Sequence, residues 1–278
     1  MISPYLALMK LRVVELLLVT TLPALFLASD GIPDLTITIA TLFGGTLAAG
    51  AANAFNMVIE SDIDRMMTRT SKRPIVNELI SEERALIFAY VIAIISLVIF
   101  WIFTNPLATG LTVAAIAFYV FGYTVGLKRR TSQNIVWGGI AGCLPVLIGW
   151  AAVTNSLSWT AFWFFLVIFF WTPPHFWALA IKYRDDYAAA GIPMLPVVAT
   201  KEEVAKQSWF HTIAMIITSL LTLYTAGFPI WSYAFTLIMG IAFAWQLRDM
   251  ENNSGKIFNS SITYLSLYSI LLVIGVFL

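Results

Sequence analysis

The chain has 278 residues, 60% of them hydrophobic and only 11% charged, with a formal net charge of +1. Soluble domains carry roughly 25% charged residues, so the composition excludes an ordinary soluble globule. Basic residues sit beside apolar runs rather than on a patch of their own, which leaves no nucleic-acid signature.

Apolar runs recur along the chain, each near the roughly 20 residues a helix needs to cross a bilayer. Backbone polar groups in lipid must be satisfied within the segment. The expectation is an all-α polytopic membrane protein, one intramembrane domain over residues 1–278, with nine spans at 11–29, 36–57, 85–103, 108–124, 135–153, 157–181, 207–227, 229–246 and 260–278. The first run is long, carries Glu15 near its start and is needed by the charge alternation below, so it reads as a retained helix rather than a signal peptide. Cys143, the single cysteine, falls in the fifth span, excludes an internal disulfide and reads as core packing. The turn at Gly227-Phe228-Pro229 has to separate spans seven and eight.

The connecting loops alternate in character. One set is short and uncharged or weakly acidic: SDGIPDLT, TNPLAT, TNSLS and GFPIW. The other holds Lys10 and Arg12; Arg65, Arg69, Lys72, Arg73 and Arg84; Lys128, Arg129 and Arg130; Lys182, Arg184, Lys201 and Lys206; and Arg248 and Lys256, which together are all 16 Lys and Arg. Positive loops stay cytoplasmic, which places the N-terminus inside and, with nine spans, the C-terminus outside. The length and the absence of an obvious transit peptide favour a prokaryotic inner membrane.

Chemistry concentrates in NMVIESDIDRMMTRTSKRP, Asn56–Pro74. Asn56, Glu60 and Asp64 follow one another at i, i+4 and i+8, so their side chains form one helical stripe. Stacked carboxylates repel, and near a bilayer they also lose solvation, so they coexist ionised most readily with a cation between them. Hard oxygen ligands beside an amide suit Mg²⁺, which commonly completes its shell with waters and substrate phosphates. Arg65, Arg69, Lys72 and Arg73 follow at once, and a cationic cluster after a carboxylate cluster is what a diphosphate requires. The alternative for the cations alone is a topology signal that binds lipid headgroups. Asp62 points off the stripe.

A second charged loop, HFWALAIKYRDDYAAAGIPMLPV, follows span six and mixes Lys182 and Arg184 with Asp185 and Asp186, framed by Tyr183 and Tyr187. Both acidic centres follow even-numbered spans, which suggests a pseudo-repeat facing one cavity; a solvated helix end is the plainer alternative. A third segment, GLKRRTSQN, brings Lys128 to the same face, as a phosphate contact or a topology anchor. His175 lies within or beside span six, where an imidazole is uncommon. Proton acceptor, axial ligand to a haem iron and hydrogen-bonded packing residue all remain open for it.

The three segments NMVIESDIDRMMTRTSKRP, KRRTSQNIVWGGIAGCLPVLIGW and PHFWALAIKYRDDYAAAGIPMLPV closely resemble the UbiA-type intramembrane prenyltransferases, and the third is similar to their haem-modifying branch, the haem O synthases. The resemblance covers roughly residues 5–275. It implies nine helices around a central cavity open to lipid, and Mg²⁺-dependent transfer from farnesyl diphosphate to haem B. It assigns Asn56, Glu60 and Asp64 to the first acidic motif and Asp185 and Asp186 to the second. The motif's commoner Asp is Glu60 here, one methylene longer. Tyr183 and Tyr187 stand where quinone-prenylating relatives carry acids. On this resemblance the candidate catalytic residues are Asp64, Asp185, Asp186, His175 and Tyr187, the diphosphate contacts Arg65, Arg69, Lys72, Arg73, Lys128, Lys182 and Arg184, and the metal ligands Asn56, Glu60 and Asp64. Association with haem A synthase or terminal oxidase assembly is a further expectation. The rival readings are a prenyltransferase for an aromatic quinone precursor, a cation-coupled transporter and a structural subunit of a respiratory complex.

Overall fold

The computed structural model describes residues 2–278, which among themselves form helices and connecting turns only. In chain order these are α1 (Ile2–Met9), α2 (Leu11–Ser29), α3 (Leu35–Ile59), α4 (Ser61–Met66), α5 (Glu82–Phe103), α6 (Pro106–Ala117), α7 (Asn134–Thr154), α8 (Trp159–Lys182), α9 (Arg184–Ala189), α10 (Leu195–Val198), α11 (Lys201–Thr225), α12 (Ile230–Gln246) and α13 (Met250–Gly275). Helix α6 runs on into a π-helical stretch, Phe118–Leu127. A 3₁₀ turn at Leu247–Asp249 divides the otherwise continuous run Ile230–Gly275. By length and composition, eight helical runs among the described residues are able to cross a membrane, and that divided run of 46 residues is the last of them.

The spans expected from hydropathy coincide with these helices, and the largest shifts are at two polar N-terminal ends. Helix α11 begins at Lys201 rather than 207, and α13 at Met250 rather than 260. Both starts are set by caps, not by apolarity. Thr200 accepts from the Glu203 amide and Asp249 from the Asn252 amide, each satisfying a donor that the first turn leaves open.

Each long helix packs on the next in sequence, and α13 returns to α2, which closes the ring. Contacts of α2 with α7 and of α8 with α13 cross it. The two helix pairs that flank the two charged loops, α3 with α5 and α8 with α11, pack most extensively. Close approach of α7 to α2 depends on Gly149, where an added Cβ would lie 3.0 Å from the Thr21 carbonyl oxygen; small residues serve this purpose at helix contacts in lipid.

Polarity is arranged for a lipid surround. Ile39, Phe43, Trp101, Phe121, Tyr224, Ile238 and Trp245 are exposed, while Thr212, Thr218, Ser219, Thr222, Thr236 and Ser261 are buried. Several of the buried hydroxyls donate to a carbonyl one turn back, as Thr222 does to Thr218 at 2.9 Å. Others join helices: Ser219 and Tyr264 meet at 3.0 Å, and the Tyr268 hydroxyl donates to the Ser219 carbonyl at 2.8 Å. With the apolar helix lengths, this makes the chain a multi-pass membrane protein.

Candidate active site at the charged end of the bundle

The acidic stripe survives a change of helix. At Glu60, between α3 and α4, the backbone opens to φ −103°, yet the Glu60 amide still donates to the Asn56 carbonyl (3.0 Å) and the Asp64 amide to the Glu60 carbonyl (2.9 Å). The i, i+4, i+8 register therefore persists. Burial is nearly complete: Asn56 is 2% exposed, Glu60 1% and Asp64 2%. Asn53, one turn earlier and also buried, lengthens the polar stripe.

Each member is met by a cation from a different stretch of chain. Lys10 Nζ donates to Asn56 Oδ1 at 2.8 Å, Lys128 Nζ to Glu60 Oε2 at 2.5 Å, and the Arg73 guanidinium pairs with Asp64. These cations, not proximity to one another, compensate the carboxylates: among the described residues no three His, Cys, Asp or Glu side chains gather as a metal-binding cluster. Asn56 is held at both ends of its amide, since Nδ2 donates to Thr124 Oγ1 at 3.2 Å. Glu60 Oε1 is buried and, among the described residues, without a hydrogen-bond partner. Asp62 forms a bidentate pair with Arg129 at 2.8 and 2.9 Å, which holds its carboxyl below the usual carboxylate range. Both side chains are largely exposed, so this pair contributes little to stability.

The second charged loop closes over the first. The Arg69 amide donates to Asp186 Oδ2 at 3.2 Å, and its guanidinium donates to the Tyr187 hydroxyl at 3.3 Å. The same guanidinium lies 5.8 Å from the Tyr183 ring centroid and 5.7 Å from that of Tyr187, and Lys182 Nζ approaches Tyr183 at 5.6 Å. Such cation–aromatic contacts fix a cation's position without neutralising it. Burial pushes the Tyr187 hydroxyl pKa up, which keeps it a donor. Below these rings Ile63, Met67, Ile135, Tyr187, Ile192 and Met194 form a shared apolar floor from both halves of the chain.

The UbiA prenyltransferase family profile matches residues 17–269. The chain belongs to the UbiA prenyltransferase family. It is 50% identical over 275 residues, 96% of the chain and 87% of the relative, to protoheme IX farnesyltransferase 1 of Saccharopolyspora erythraea. In fold it is similar to a digeranylgeranylglyceryl phosphate synthase (TM-score 0.82, 17% identity, covering 99% of this chain and 98% of that one). It is likewise similar to a UbiA homologue from Archaeoglobus fulgidus bound to DMAPP and Mg²⁺ (TM-score 0.70, 17% identity, 97% of this chain and 98% of that one).

Not every expected site residue of this UbiA family member comes to the cluster. Arg184 turns away to pair with Glu251 at the start of α13. Arg65 is exposed and lines a separate hollow of about 330 Å³ with Glu78 and Glu82. Lys72 and Asp185 are exposed. His175 is packed elsewhere. Its ring stacks between Trp171 (4.2 Å) and Phe258 (4.4 Å), Nδ1 meets Ser261 Oγ at 2.7 Å, and it is only 4% exposed. These contacts join α8 to α13 and fit the hydrogen-bonded packing residue among the three readings.

Four residues that sequence reasoning passed over belong to the cluster. Lys10 was counted only as a topology cation. Asn53 donates to the Met9 carbonyl at 2.9 Å and accepts from Tyr119 at 3.4 Å. Thr124 and Tyr119 come from the π-helical stretch, whose wide turn is a common feature of functional sites. Asn53 was detectable as one more polar residue on the stripe; the π-helix left no signal. Tyr123, in the same stretch, lies against Lys128 (Nζ 5.9 Å from the ring centroid) and against Gly138, where a Cβ would fall 2.2 Å from Tyr123 Cδ2. Gly138→Ala is therefore expected to displace the ring, lower stability by about 1–3 kcal/mol and loosen the Lys128–Glu60 pair. A thermal midpoint within 1 °C of wild type would show that the ring has room to move.

Proposed function

We propose that the chain joins the farnesyl group of farnesyl diphosphate to a vinyl group of haem B, adding water, to give haem O and diphosphate. The observation that carries this reading is the meeting of the two charged loops through Arg69, beside a buried Asn–Glu–Asp stripe. The name of the 50%-identical relative supports the choice of acceptor.

The residues present fit Mg²⁺: two carboxylates and an amide oxygen share one stripe, and Glu60 Oε1 is a buried hard donor free of other bonds. Asn56, Glu60 and Asp64 are its ligands in this reading, and the Mg²⁺-bound Archaeoglobus homologue supports divalent metal use in this fold. When bound, the ion supplies charge neutralisation and Lewis-acid polarisation of the diphosphate oxygens.

The chain's own groups do the rest. Arg69, Arg73, Lys72, Lys128 and Lys182 bind the diphosphate and stabilise the charge that grows on it as the C1–oxygen bond breaks. Asp186 and Tyr187 hold Arg69 in place, with Asp185 exposed next to them in the chain. The apolar interior keeps water from the allylic cation. The vinyl double bond donates its electron pair to farnesyl C1, which leaves a cation on the carbon beside the porphyrin. Water bonds to that carbon and releases one proton, so the product gains one farnesyl group and one hydroxyl. Arg184, paired with Glu251, and Arg65, exposed at a separate hollow, have no part in this reading. Its setting is a cell inner membrane, crossed nine times, with the N-terminus and the charged loops cytoplasmic; handing haem O to haem A synthase or terminal oxidase assembly belongs to the same reading.

Purified protein with haem B, farnesyl diphosphate and Mg²⁺ is expected to give, by mass spectrometry, a porphyrin heavier by one farnesyl group and one hydroxyl. No such product, together with prenylation of an added hydroxybenzoate, discards the acceptor and keeps the donor site.

A further inference from the structure

The charges of the buried cluster do not balance. Arg73 is matched by Asp64 and Lys128 by Glu60, but the partner of Lys10 is the neutral amide of Asn56. With side chains in their usual ionisation states, three cations face two carboxylates, which leaves one positive charge in excess, and Lys10 is its source. Lys10 is half-buried, so its unmatched charge loses part of its solvation at a cost. Lys10 also sits in the left-handed region, φ 51° and ψ 52°, which is uncommon for a residue with a side chain; such strain persists only where surrounding structure enforces it.

The enforcement is visible. Two asparagines one turn apart on α3 hold the corner between α1 and α2: Asn53 donates to the Met9 carbonyl at 2.9 Å, and Asn56 accepts from Lys10 at 2.8 Å. Leu8 and Met9 are buried behind them. A residue needed only to orient the chain in the membrane has no use for this. Arg12, two positions on, is exposed and does that work in water.

We infer that Lys10 is a binding residue for the diphosphate, a cation on the acidic stripe whose partner is an amide rather than a carboxylate, and that the α1–α2 corner is part of the substrate site. This rests on the functional reading above. A prenyl diphosphate carries about three negative charges and Mg²⁺ two positive ones, so their complex keeps a negative charge for the unmatched ammonium of Lys10 to meet. The ammonium, already beside Asn56 Oδ1, reaches phosphate oxygens held by the same stripe without leaving the corner.

The test is calorimetric titration of the intact protein in lipid nanodiscs with inorganic pyrophosphate in excess Mg²⁺. No acceptor is present, so the result does not depend on what is prenylated. Lys10→Gln keeps a hydrogen-bond donor for Asn56 but removes the charge, and is expected to weaken binding by on the order of 10- to 100-fold, the value of a charged hydrogen bond. Lys10→Arg, charged at any working pH, is expected to stay within about fivefold of wild type, and Arg12→Gln to match it. Lys10→Gln binding as tightly as Arg12→Gln overturns the inference, since the charge then does no more than mark topology. Loss in Lys10→Arg equal to that in Lys10→Gln also overturns it, because shape rather than charge then decides. If wild-type protein itself takes up no pyrophosphate, the donor site proposed above fails, and this inference fails with it.

Discussion

Asp64→Ala is expected to lower farnesyl transfer by on the order of 10³-fold or more, while the protein still inserts and purifies as a folded bundle. Asp64 serves two purposes that the variant separates. Its carboxylate is a proposed metal ligand at the end of the stripe and also the partner of Arg73, a cation assigned to the diphosphate. Its structural duties are lighter. The loop behind it is held through the Asp64 backbone carbonyl, which accepts from Thr70 Oγ1 at 3.1 Å, and that bond survives truncation. Arg73 is left without its carboxylate, but its side chain is 16% exposed and turns to water. Activity should therefore collapse with a modest change in stability. The two measurements are haem O formation by mass spectrometry and the thermal midpoint in one detergent. Turnover near wild type would sink the metal assignment.

Glu60→Ala likewise leaves a half-buried cation, Lys128, without its carboxylate. Glu60 is 1% exposed and the Lys128 side chain 14%. Removing one member of a fully buried pair costs about 3–5 kcal/mol, since it strands the other charge; with Lys128 partly exposed the cost here is expected to be smaller. Burial and the neighbouring Arg73 already lower the Lys128 pKa, while Glu60 raises it; without Glu60 the ammonium loses protons more readily and stability falls. Adding Lys128→Met removes the stranded charge, so the double variant Glu60→Ala/Lys128→Met should recover most of the lost thermal stability. It should recover none of the activity, which needs both the ligand and the cation. A double variant as unstable as Glu60→Ala would show that the pair packs rather than pairs. One that regains turnover would show that neither group touches the reaction.

How much of this was legible beforehand depends on which interactions are local. The stripe Asn56/Glu60/Asp64 was legible because helical spacing alone puts i, i+4 and i+8 together, and even the hinge at Glu60 preserves the hydrogen-bond register. The long helices were legible because a lipid-facing segment must be both apolar and about 20 residues long. Their polar first turns were not, since caps such as Asp249 extend a helix past its apolar stretch. His175 stood out in sequence because imidazole is rare among apolar residues; its stacking between Trp171 and Phe258 needed α13 to be brought against α8.

The pairing of charges was beyond any local rule. Lys10 meets Asn56 across 46 residues, Lys128 meets Glu60 across 68, and Arg69 meets Tyr187 across 118. All seventeen positions from Arg65 to Ser81 looked alike as a charged loop, yet Arg73 turns inward to Asp64 while Arg65 is exposed and lines a separate hollow. The sequence by itself determined that this is a helical membrane protein with two acid-and-base loops and one acidic stripe, because periodicity and apolar length are properties of neighbours along the chain. The tertiary structure decided which cation serves which carboxylate, that Lys10 meets Asn56, that Arg184 pairs with Glu251 and that His175 packs between Trp171 and Phe258. The reason is physical: Coulomb energy and burial depend on distance through space, and only the closed ring of helices sets those distances.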